Sequence, residues 1–313
     1  MDEFSFIANL LAPLAAKEKG ALGLKDDAAV LTVPRGYELV VTKDALTQGV
    51  HFIGNESPDL IARKLLRVNL SDLAAMGACP WGYFLAVMLP ESTNEEWLAA
   101  FASGLQRDQK EFGVTLMGGD TTRTMGSLSL SLTALGLVPK SKSLKRTGAR
   151  VGDSIYVSGT IGDGALGLKI TTDRYLLGRY QLPKPRLKLG QALRGIASAC
   201  IDISDGLMQD LEHVCAASRV GAEIHWKDMP LSKEARAVLA SVKNPCEVVL
   251  AGGDDYELLF TAPASAKRKL RAIAKATGTP ITHIGHVKKG GGVVALDMNG
   301  REIVLEHKGW RHF

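Results

Sequence analysis

The chain has 313 residues, of which 46% are hydrophobic and 23% are charged. This balance is typical of a folded globular protein and excludes intrinsic disorder, and the length allows two domains that each bury a core. The net charge of +5, from 38 basic and 33 acidic side chains, suits a small anionic substrate but is too small to indicate nucleic-acid binding.

The first twenty residues predict a short amphipathic helix. They begin with two acidic residues and lack the basic region that precedes a secretory signal. No apolar run in the sequence approaches the roughly 18 to 20 residues of a membrane span. We therefore expect a cytoplasmic protein that does not bind a membrane. The cysteines lack a C-x-x-C pair, so we expect buried free thiols at Cys79, Cys200, Cys215 and Cys246.

Two long helices are predicted in the first half of the chain. The first begins with Ser57 as N-cap and Pro58 at the first helical position, and a glycine ends it. The second runs from about Thr93, which matches a capping box together with Glu96, to a stop at Gly113. Strands are predicted on either side of the second helix.

The predicted strands of this half lie at 83–89 and 114–117, and a third begins at Ser127. In the third, the sequence SLSLSLTALGLV alternates apolar and polar residues, which predicts a strand with one buried face.

The second half restarts after a basic segment, 139–153, that lacks apolar periodicity. This segment is the predicted boundary between domains 1–142 and 143–313. A strand is predicted at 154–159, and the Asn-Gly pair at 299–300 predicts a tight primed turn in a final hairpin. Alternating strands and helices in both halves predict an α/β or α+β fold.

Two short motifs recur along the chain. The Ser-Asp pair at 71–72 recurs at 204–205, an offset of 133 residues, and the Gly-Gly-Asp motif at 118–120 recurs at 252–254, an offset of 134. Duplication of an ancestral half is one explanation and chance is the other.

Five aspartates share a sequence context, because each lies at the end of an apolar segment or against one, where an unpaired carboxylate is costly to bury. Each of them alone is compatible with a turn or a helix cap, where aspartate is favoured. As a set they predict Mg²⁺, which takes oxygen ligands and leaves positions for phosphate oxygens. The five are Asp27, Asp44, Asp72, Asp120 and Asp205, and Asp44 and Asp120 are expected just after strands.

Asp72 is the most informative of these residues. It lies well inside the first long helix among apolar neighbours, so it is not an N-cap. Asn69 lies three residues earlier and shares its helix face. A polar pair on an otherwise apolar helix favours a functional site over a solvated surface.

One glycine-rich segment matches only part of the dinucleotide-binding motif. Gly162, Gly164 and Gly167 have the G-x-G-x-x-G spacing after a predicted strand. The acidic residue expected about 20 residues further on is missing, and the sequence there, at 182–190, is basic and broken by prolines. The P-loop pattern G-x-x-x-x-G-K-[ST] is also missing from the sequence.

Several longer segments carry a resemblance to a known family. They read VVTKDALTQGVHF, NLSDLAAMGACP, LMGGDTTR, RTGARVGD, IDISDGLMQDL, AGGDDYELLF and KGWRHF, in this order and across nearly the whole chain. In these segments the sequence closely resembles the thiamine-monophosphate kinase family.

The resemblance implies transfer of the γ-phosphoryl group of ATP to thiamine monophosphate, which gives thiamine diphosphate and ADP in the last step of thiamine diphosphate biosynthesis. It also implies the two-domain α/β (α+β) fold of the group that includes aminoimidazole ribonucleotide synthetase and selenophosphate synthetase. In that fold the N-terminal domain binds ATP and Mg²⁺ and forms a homodimer through its sheet, the C-terminal domain is α/β, and the active site is a cleft.

The resemblance further implies a role for individual residues. The implied ligands of several Mg²⁺ ions are Asp27, Thr42, Asp44, Asp72, Asp120, Asp202 and Asp205. The implied ATP contacts are Gly119, Asp120, Arg146 and Ser204. The implied contacts to thiamine monophosphate are His51, Asp254 and Trp310. No residue is implied as a general base, and the transfer is expected to be assisted by Mg²⁺ held through Asp44, Asp72 and Asp120.

Two departures from the family pattern affect these assignments. Leu24 and Lys25 stand where the family commonly has glycine and a small or apolar residue before the Asp pair. Thr42, Lys43 and Asp44 stand where the family often has a Ser-Thr-Asp triplet. A lysine side chain does not bind Mg²⁺, so any metal contact at position 43 must come from the backbone carbonyl.

The chemistry of the implied acceptor agrees with a site that has many aspartates and no general base. A phosphate monoester has a second pKa of about 6 and is mostly dianionic at pH 7, so it needs no strong base. It needs relief from repulsion by the polyphosphate, which clustered Mg²⁺ supplies. The thiazolium cation of the acceptor suits the face of Trp310. Simpler interpretations stay open for Arg146 as a solvated linker residue, His51 as a structural histidine and Asp254 as a turn residue.

Three other functions compete with the kinase. One is an ATP-dependent synthetase of the same superfamily that acts on another small substrate. Another is a non-catalytic protein that binds divalent metal or anions and uses the aspartates for structure. Nucleic-acid binding lacks a basic helix and interleaved aromatic and basic residues, and is rejected.

Overall fold

The computed structural model describes residues 2–310 and divides the chain into two compact units. Unit 1 comprises the described residues up to Leu73 together with Ala78–Ser141, and unit 2 comprises Ala74–Gly77 together with the described residues from Lys142 onward. Each unit contains its own β-sheet. The predicted mixed α/β fold with two domains is therefore confirmed, whereas the function assigned to each domain stays a prediction.

The first half of the chain supplies one sheet and its helices. Its strands are β1 (Tyr37–Thr47), β2 (Cys79–Pro90), β3 (Thr115–Thr124) and β4 (Ser129–Pro139), and its α-helices are α1 (Glu3–Phe6), α2 (Ala12–Ala15), α3 (Pro58–Ala75) and α4 (Glu95–Phe112), with a π-helical segment at Ile7–Leu11 and a 3₁₀ segment at Lys19–Leu24.

The strand order of the first sheet is β1-β4-β2-β3, so β1 and β3 are its two edges. Strand β4 is antiparallel to β1 and β2, whereas β3 runs parallel to β2. Leu130, Leu132 and Ala134 of β4 are buried and the serine and threonine residues between them are half-buried, which confirms the predicted single buried face. Burying such a face specifies the register, since a slip of one residue would expose every buried side chain.

Helix α4 lies where it was predicted, with one corrected cap. Asn94 is the N-cap, and its Oδ1 accepts a hydrogen bond from the Trp97 N–H at 2.8 Å. The predicted capping box at Thr93 is wrong because the Thr93 N–H donates instead to the Pro90 carbonyl in the preceding turn. Gly113 ends the helix with a φ of 70°, in the left-handed conformation that favours glycine.

Two strands are longer than predicted. Strand β3 continues past Met117 to Thr124, paired with β2 throughout, and β1 continues past Asp44 to Thr47. The expectation that Asp44 and Asp120 follow strand ends is therefore wrong, because both lie inside edge strands. The glycines before Asp120 continue the ladder rather than starting a turn.

The second half supplies the other sheet. Its strands are β5 (Ser154–Ser158), β6 (Ala199–Asp202), β7 (Gly221–His225), β8 (Leu258–Ala262), β9 (Ile281–Lys288) and β10 (Val293–Leu296). Its α-helices are α5 (Asp163–Lys169), α6 (Arg174–Gln181), α7 (Leu187–Leu193), α8 (Leu207–Ser218), α9 (Lys233–Val238), α10 (Pro245–Ala251) and α11 (Lys267–Thr277), and short 3₁₀ segments lie at Trp226–Asp228, Leu239–Ser241 and Ala264–Ala266.

The strand order of the second sheet is β10-β7-β9-β5-β8-β6. Strand β10 is parallel to β7, and the other paired strands are antiparallel. Strand β5 is thus antiparallel to both of its neighbours, which agrees with rejecting a dinucleotide fold, since that fold needs parallel strands. Ile155 of β5, Ile201 of β6 and Leu211 of α8 belong to one buried core that joins the sheet to this helix.

The final hairpin differs from its prediction. Gly300 has a φ of 77°, but Asn299 does not have a positive φ, so the primed turn is not formed. The Asp297 carboxylate organises the turn instead, because its Oδ1 accepts hydrogen bonds from the N–H groups of Asn299 at 2.7 Å and Arg301 at 2.8 Å. The return arm forms one isolated bridge to β10.

The four cysteines are free thiols, as predicted, but only two of them are buried. Cys200 and Cys215 are buried, Cys246 is half-buried, and Cys79 at the start of β2 is exposed. Among the residues that the structure describes, no helix is both long and apolar enough to cross a membrane.

Candidate active site

Helix α3 and strand β1 hold the first group of candidate metal ligands. The Thr42 hydroxyl donates to Oδ2 of Asp72 at 2.5 Å, and the Asp44 N–H donates to Oδ1 of Asn69 at 3.1 Å. Asn69 is fully buried, and its Nδ2 donates to the Leu65 carbonyl at 2.9 Å. The Asn69 amide therefore fixes the strand against the helix, and the structure brings Thr42, Asp44 and Asp72 together.

This arrangement follows from two periodicities. Residues three apart on a helix share a face, and residues two apart on a strand share a face. The polar pair of α3 therefore meets the polar pair of β1. Lys43 lies between Thr42 and Asp44 and faces the other side of the sheet, where its Nζ lies 3.5 Å from the Thr133 hydroxyl. Lys43 therefore does not interrupt the group of candidate ligands, Thr42, Asp44 and Asp72, on the side of the sheet that faces α3.

Asp120 lies apart from this group. Directly paired residues share a face of a sheet. Asp44 is in register with Leu132 and Leu85, which are buried, whereas Asp120 is in register with Ala86 on the opposite face. The strands that carry the two aspartates are also the two edges of the sheet, three strand spacings or about 14 Å apart. One chain therefore does not bring Asp44 and Asp120 to the same ion.

Gly119 occupies a position in β3 that accepts no other residue. A Cβ atom there would lie 1.9 Å from the carbonyl oxygen of Leu85 in β2. Glycine thus permits the close approach of the two backbones, and Asp120 follows as an exposed residue whose Oδ1 accepts from the Thr121 N–H at 3.0 Å.

Two further candidates of unit 1 lie outside regular elements. Asp27 is exposed, and its N–H donates to the Asp26 carboxylate at 3.0 Å. His51 lies in the turn after β1, where its Nδ1 accepts a hydrogen bond from the Thr47 N–H at 3.1 Å and its carbonyl accepts from Nζ of Lys64 at 3.2 Å. His51 therefore has a structural role, and its role toward a substrate stays a prediction.

In unit 2, two loops that carry candidate residues are joined by backbone hydrogen bonds. The Asp254 N–H donates to the Ser204 carbonyl at 2.9 Å, and the Tyr256 N–H donates to the Ile203 carbonyl at 2.8 Å. In return, the Ile203 N–H donates to the Glu257 carbonyl at 2.9 Å. The loop with Ser204 and the loop with Asp254 are therefore held in one fixed arrangement.

Asp210 organises the first of these loops and was not identified from the sequence. Its Oδ2 accepts hydrogen bonds from the N–H groups of Ser204, Asp205 and Gly206 at 3.0, 3.2 and 3.2 Å. Burial, with a smaller contribution from the neighbouring Asp205 carboxylate, raises the pKa of Asp210 to about 7 although the three N–H donors lower it. The sequence signal for this role is a second aspartate five residues after Asp205.

Gln209 connects the same loop to the C-terminal segment. Its Nε2 donates to Oδ2 of Asp205 and to the carbonyl of Trp310, both at 3.0 Å. The Trp310 N–H donates to the Asp205 carbonyl at 3.0 Å. A Cβ atom at Gly309 would lie 2.6 Å from Cβ of Gln209, so a glycine is needed for this approach. The structure therefore brings Asp205 and Trp310 together, and Gln209 was missed from the sequence.

Asp255 anchors the second loop. It is buried, and its carboxylate accepts hydrogen bonds from the N–H groups of Gly162 at 2.9 Å and Gly164 at 3.3 Å. The glycines of the rejected dinucleotide motif thus bind a carboxylate of the chain itself. Asp254 and Tyr256 on either side have positive φ angles of 59° and 51°, a conformation that is costly outside glycine and is maintained here by these bonds.

A buried ionic network lies next to Asp255. Glu257 is fully buried and accepts hydrogen bonds from Arg179 at 2.9 Å, from Ser158 at 2.5 Å and from Arg186. The buried Glu257 charge is tolerated because it is paired and hydrogen-bonded, and loss of one partner would leave a buried charge. This network keeps the end of the second loop rigid.

Asp202, Arg146 and a groove complete the candidate site of unit 2. Asp202 is the last residue of β6 and is 4% exposed. Arg146 has an exposed side chain, and its carbonyl accepts from the Ser218 hydroxyl at 3.2 Å, which holds its loop against α8. A groove of about 1040 Å³ is lined by α5, α10 and the C-terminal segment, including Gly252 and Trp310.

The donor atoms of both units fit Mg²⁺. Thr42, Asp44 and Asp72 offer a hydroxyl and two carboxylates in unit 1, and Asp202 and Asp205 offer carboxylates in unit 2. These are the hard oxygen ligands that Mg²⁺ prefers.

Comparison with known proteins gives the family. The sequence model of the protein family called AIR synthase related protein, N-terminal domain, matches residues 25–138. The corresponding family model of the C-terminal domain matches residues 150–297. The thiamine-monophosphate kinase of Caulobacter vibrioides is 43% identical over 99% of this chain and 90% of its own length. The crystal structure of the Stenotrophomonas maltophilia thiamine-monophosphate kinase is 39% identical, with a TM-score of 0.85 over 97% of this chain and 98% of that one.

A second solved structure is that of a complex. It is AaThiL complexed with AMPPCP and TMP, which is 32% identical, with a TM-score of 0.79 over 95% of this chain and 98% of that one. Both solved structures match this chain over both units, and their sequence identities of 39% and 32% are higher than those of proteins that share only a fold. The chain therefore belongs to the thiamine-monophosphate kinase family of AIR synthase related proteins.

Proposed function

We propose that this protein transfers the γ-phosphoryl group of ATP to thiamine monophosphate, with thiamine diphosphate and ADP as products. The observation that carries the proposal is the nearly full-length similarity to AaThiL, whose structure contains AMPPCP and TMP. Because ATP is supplied in the cytoplasm, we assign the reaction to that compartment.

The acceptor needs positioning rather than activation. Its phosphate is mostly dianionic at pH 7 and already nucleophilic, so no side chain has to remove a proton. The barrier comes from bringing this dianion in line with the polyphosphate, and a rigid, positively charged environment lowers it. The fixed loops around Ser204 and Asp254 support this interpretation, because hydrogen bonds between their backbones preorganise both.

Mg²⁺ is the proposed metal, and several residues would hold it. Thr42, Asp44 and Asp72 form the group in unit 1, and Asp202 and Asp205 form the group in unit 2. When bound, Mg²⁺ would neutralise phosphate oxygen charge and reduce repulsion between the two substrates. Asp27 and Asp120 are proposed as further ligands, supported by their exposed carboxylates.

The nucleotide contacts are proposed at Gly119, Arg146 and Ser204. Gly119 leaves room beside an exposed backbone, and the exposed Arg146 guanidinium suits bidentate binding of phosphate. The loop that contains Ser204 is held by the buried Asp210 carboxylate, which leaves its position well defined.

The acceptor is proposed to bind with Trp310, Asp254 and His51. Trp310 lines the groove of unit 2 and is 55% exposed, and an aromatic ring of this kind suits a flat cationic heterocycle. Asp254 contributes negative charge close to the Asp205 loop. Lys169, Lys243 and Lys308 also line the groove and suit an anionic ligand group.

We also propose that the active protein is a homodimer that pairs the exposed faces of the first sheet. Tyr37, Leu39 and Val41 of β1 are 46%, 43% and 56% exposed on that face, which is costly for a monomer. Asp120 projects from this exposed face, so the pairing would place it at the interface, whereas Asp44 lies on the edge strand β1 and faces α3. A single site that uses both aspartates would therefore take Asp120 from one chain and Asp44 from the edge strand of the other.

Product analysis tests the proposed function. The protein is incubated with ATP, Mg²⁺ and thiamine monophosphate, and the thiamine compounds are separated by chromatography. We expect thiamine diphosphate to accumulate only when all three are present. ADP formation that needs a different acceptor would indicate another synthetase of the superfamily. Metal-dependent stability without any ADP formation would indicate a non-catalytic binding protein.

Mixed dimers test the shared site. Asp44→Asn and Asp120→Asn should each be inactive alone. If each site takes Asp44 from one chain and Asp120 from the other, a mixed dimer regains one intact site. Random mixing should then restore about a quarter of the wild-type activity, whereas a site within one chain would restore none.

A further inference from the structure

Strands β7 and β9 carry a cluster of two histidines and one glutamate that the proposed kinase site does not use. Nε2 of His225 lies 3.5 Å from Oε1 of Glu223, and Nε2 of His286 lies 3.9 Å from the same oxygen. One ligand atom from each of the three residues lies within 4.8 Å of the others. The cluster shares no residue with the aspartates assigned to Mg²⁺.

The sheet itself builds this cluster. Glu223 and His286 are directly paired across β7 and β9, so their side chains stand next to each other on one face. His225 is two residues further along β7 and therefore faces the same side. Ala222 and Ile224, which alternate with Glu223 and His225 along β7, are fully buried on the other face. Their burial prevents a register slip that would disperse the three side chains.

The spacing fits a small divalent ion. Bond lengths of about 2.0 to 2.2 Å in tetrahedral geometry put neighbouring ligand atoms roughly 3.3 to 3.5 Å apart. The pair of His225 and Glu223 already has this separation. Nε2 of His286 must approach Oε1 of Glu223 by a few tenths of an ångström, and its separation from the His225 ligand atom, which is within 4.8 Å, must shorten to the same range. The His286 side chain is 51% exposed, which leaves room for this movement.

The ligand types select the class of metal. Imidazole nitrogen with one carboxylate suits Zn²⁺ and its neighbours Ni²⁺ and Cu²⁺, whereas Mg²⁺ prefers oxygen ligands. Three protein ligands leave at least one coordination position for water. Two imidazoles distinguish this cluster from the Asp205, Asp210 and His213 group and from the Glu247, Glu306 and His307 group, each of which has one.

Lys288 is the nearest competing cation. Its Nζ lies 3.9 Å from Oε2 of Glu223, whereas both histidines approach Oε1. The two oxygens therefore allow the lysine to keep its partner while Oε1 contacts a metal. Both groups are partly exposed, so solvent and salt screen the repulsion between the lysine and the ion.

We propose that Glu223, His225 and His286 form a binding site for one Zn²⁺-class ion per chain, with an open coordination position. The ion would link β7 to β9, two strands that are far apart in sequence, and so stabilise the second sheet. This site is independent of the proposed kinase reaction and of its Mg²⁺ ions.

Calorimetric titration of the full-length protein with ZnCl₂ tests the proposal, with Mg²⁺ present throughout to occupy oxygen sites. We expect one ion per wild-type chain at this site and at least tenfold weaker binding for His225→Ala and His286→Ala. His283→Ala is the matched control, because His283 is an exposed histidine of β9 outside the cluster, and its variant should bind as wild type does. Zn²⁺ should raise the melting temperature of the wild type but not of His286→Ala.

The folding of the variants is checked independently through ADP release with Mg²⁺ and no Zn²⁺, which should be unchanged in His286→Ala. The proposal would be overturned if the wild-type protein did not bind one Zn²⁺ ion per chain. Equal binding by wild type, His225→Ala and His286→Ala would also overturn it. Loss of binding in His213→Ala or His307→Ala instead would assign the ion to one of the other two groups and reject this site.

Discussion

Replacing Asp72 with asparagine separates the role of a metal ligand from that of a scaffold residue. Asparagine has nearly the same shape and keeps an oxygen for the Thr42 hydroxyl, which donates to Asp72 at 2.5 Å. Hydrogen bonds to charged groups contribute about 1.5–3 kcal/mol and neutral ones about 0.5–1.5 kcal/mol. We therefore expect the free energy of unfolding to fall by about 1 kcal/mol, which lowers Tm by roughly 2–4 °C.

The turnover of Asp72→Asn should change far more than its stability. Loss of one preorganised electrostatic contact at a reacting centre typically costs about a hundredfold to a thousandfold in kcat. We expect a loss in this range, together with a higher Mg²⁺ concentration for half-maximal rate. The assay is coupled ADP release measured over a Mg²⁺ titration, and Tm is measured on the same preparations.

Asn69→Ala is the matched control on the same helix. It removes the hydrogen bonds to the Leu65 carbonyl and from the Asp44 N–H, at a cost of about 2–4 kcal/mol, but leaves every carboxylate in place. Its main effect should therefore be on stability. Wild-type turnover and Mg²⁺ dependence in Asp72→Asn, or a fall in its Tm as large as that of Asn69→Ala, would refute the ligand assignment.

Three further predictions concern unit 2. Trp310→Ala should raise the KM for thiamine monophosphate and leave the KM for ATP unchanged, and a change confined to ATP would contradict the acceptor placement. Gln209→Ala should both lower kcat and raise the KM for thiamine monophosphate, because Gln209 connects Asp205 to the Trp310 backbone. Steady-state kinetics measure both effects, and an unaltered Tm would show that they do not come from unfolding. Burial raises the pKa of Asp255 to about 8, so between about pH 4 and pH 8 the folded chain keeps a proton that the unfolded chain has released, and the stability from this group falls as the pH rises. The difference in the free energy of unfolding between wild type and Asp255→Asn, measured in urea, should therefore shrink by a few kcal/mol from pH 5 to pH 8. A free energy of unfolding that changes with pH in the same way in both proteins would contradict the raised pKa.

Local patterns in the sequence were sufficient to predict many of the helices and strands. The alternation along β4 reports a single buried face directly, because side chains of a strand alternate between its two sides. The Pro58 start likewise identifies α3, and the pair at Asn69 and Asp72 identifies a polar face of it, which contacts β1 in the structure. These features depend on neighbouring residues only.

Features that depend on distant partners were not predictable in this way. Gly118 and Gly119 are compatible with a turn, and only pairing with β2 makes them part of a strand that carries Asp120. Asp255 binds the Gly162 N–H, which is 93 residues away, so its role cannot be seen in the GGDDYE segment alone. The primed turn failed for a local reason, since the Asp297 side chain competes for the backbone N–H groups.

The kinase assignment is tested most directly by coupled ADP release from the wild-type protein, measured with and without thiamine monophosphate and with and without Mg²⁺. We predict that ADP release requires both additions and that one thiamine diphosphate forms for each ADP. ADP release that proceeds at the same rate without thiamine monophosphate, or without Mg²⁺, would contradict the proposed Mg²⁺-assisted transfer to this acceptor.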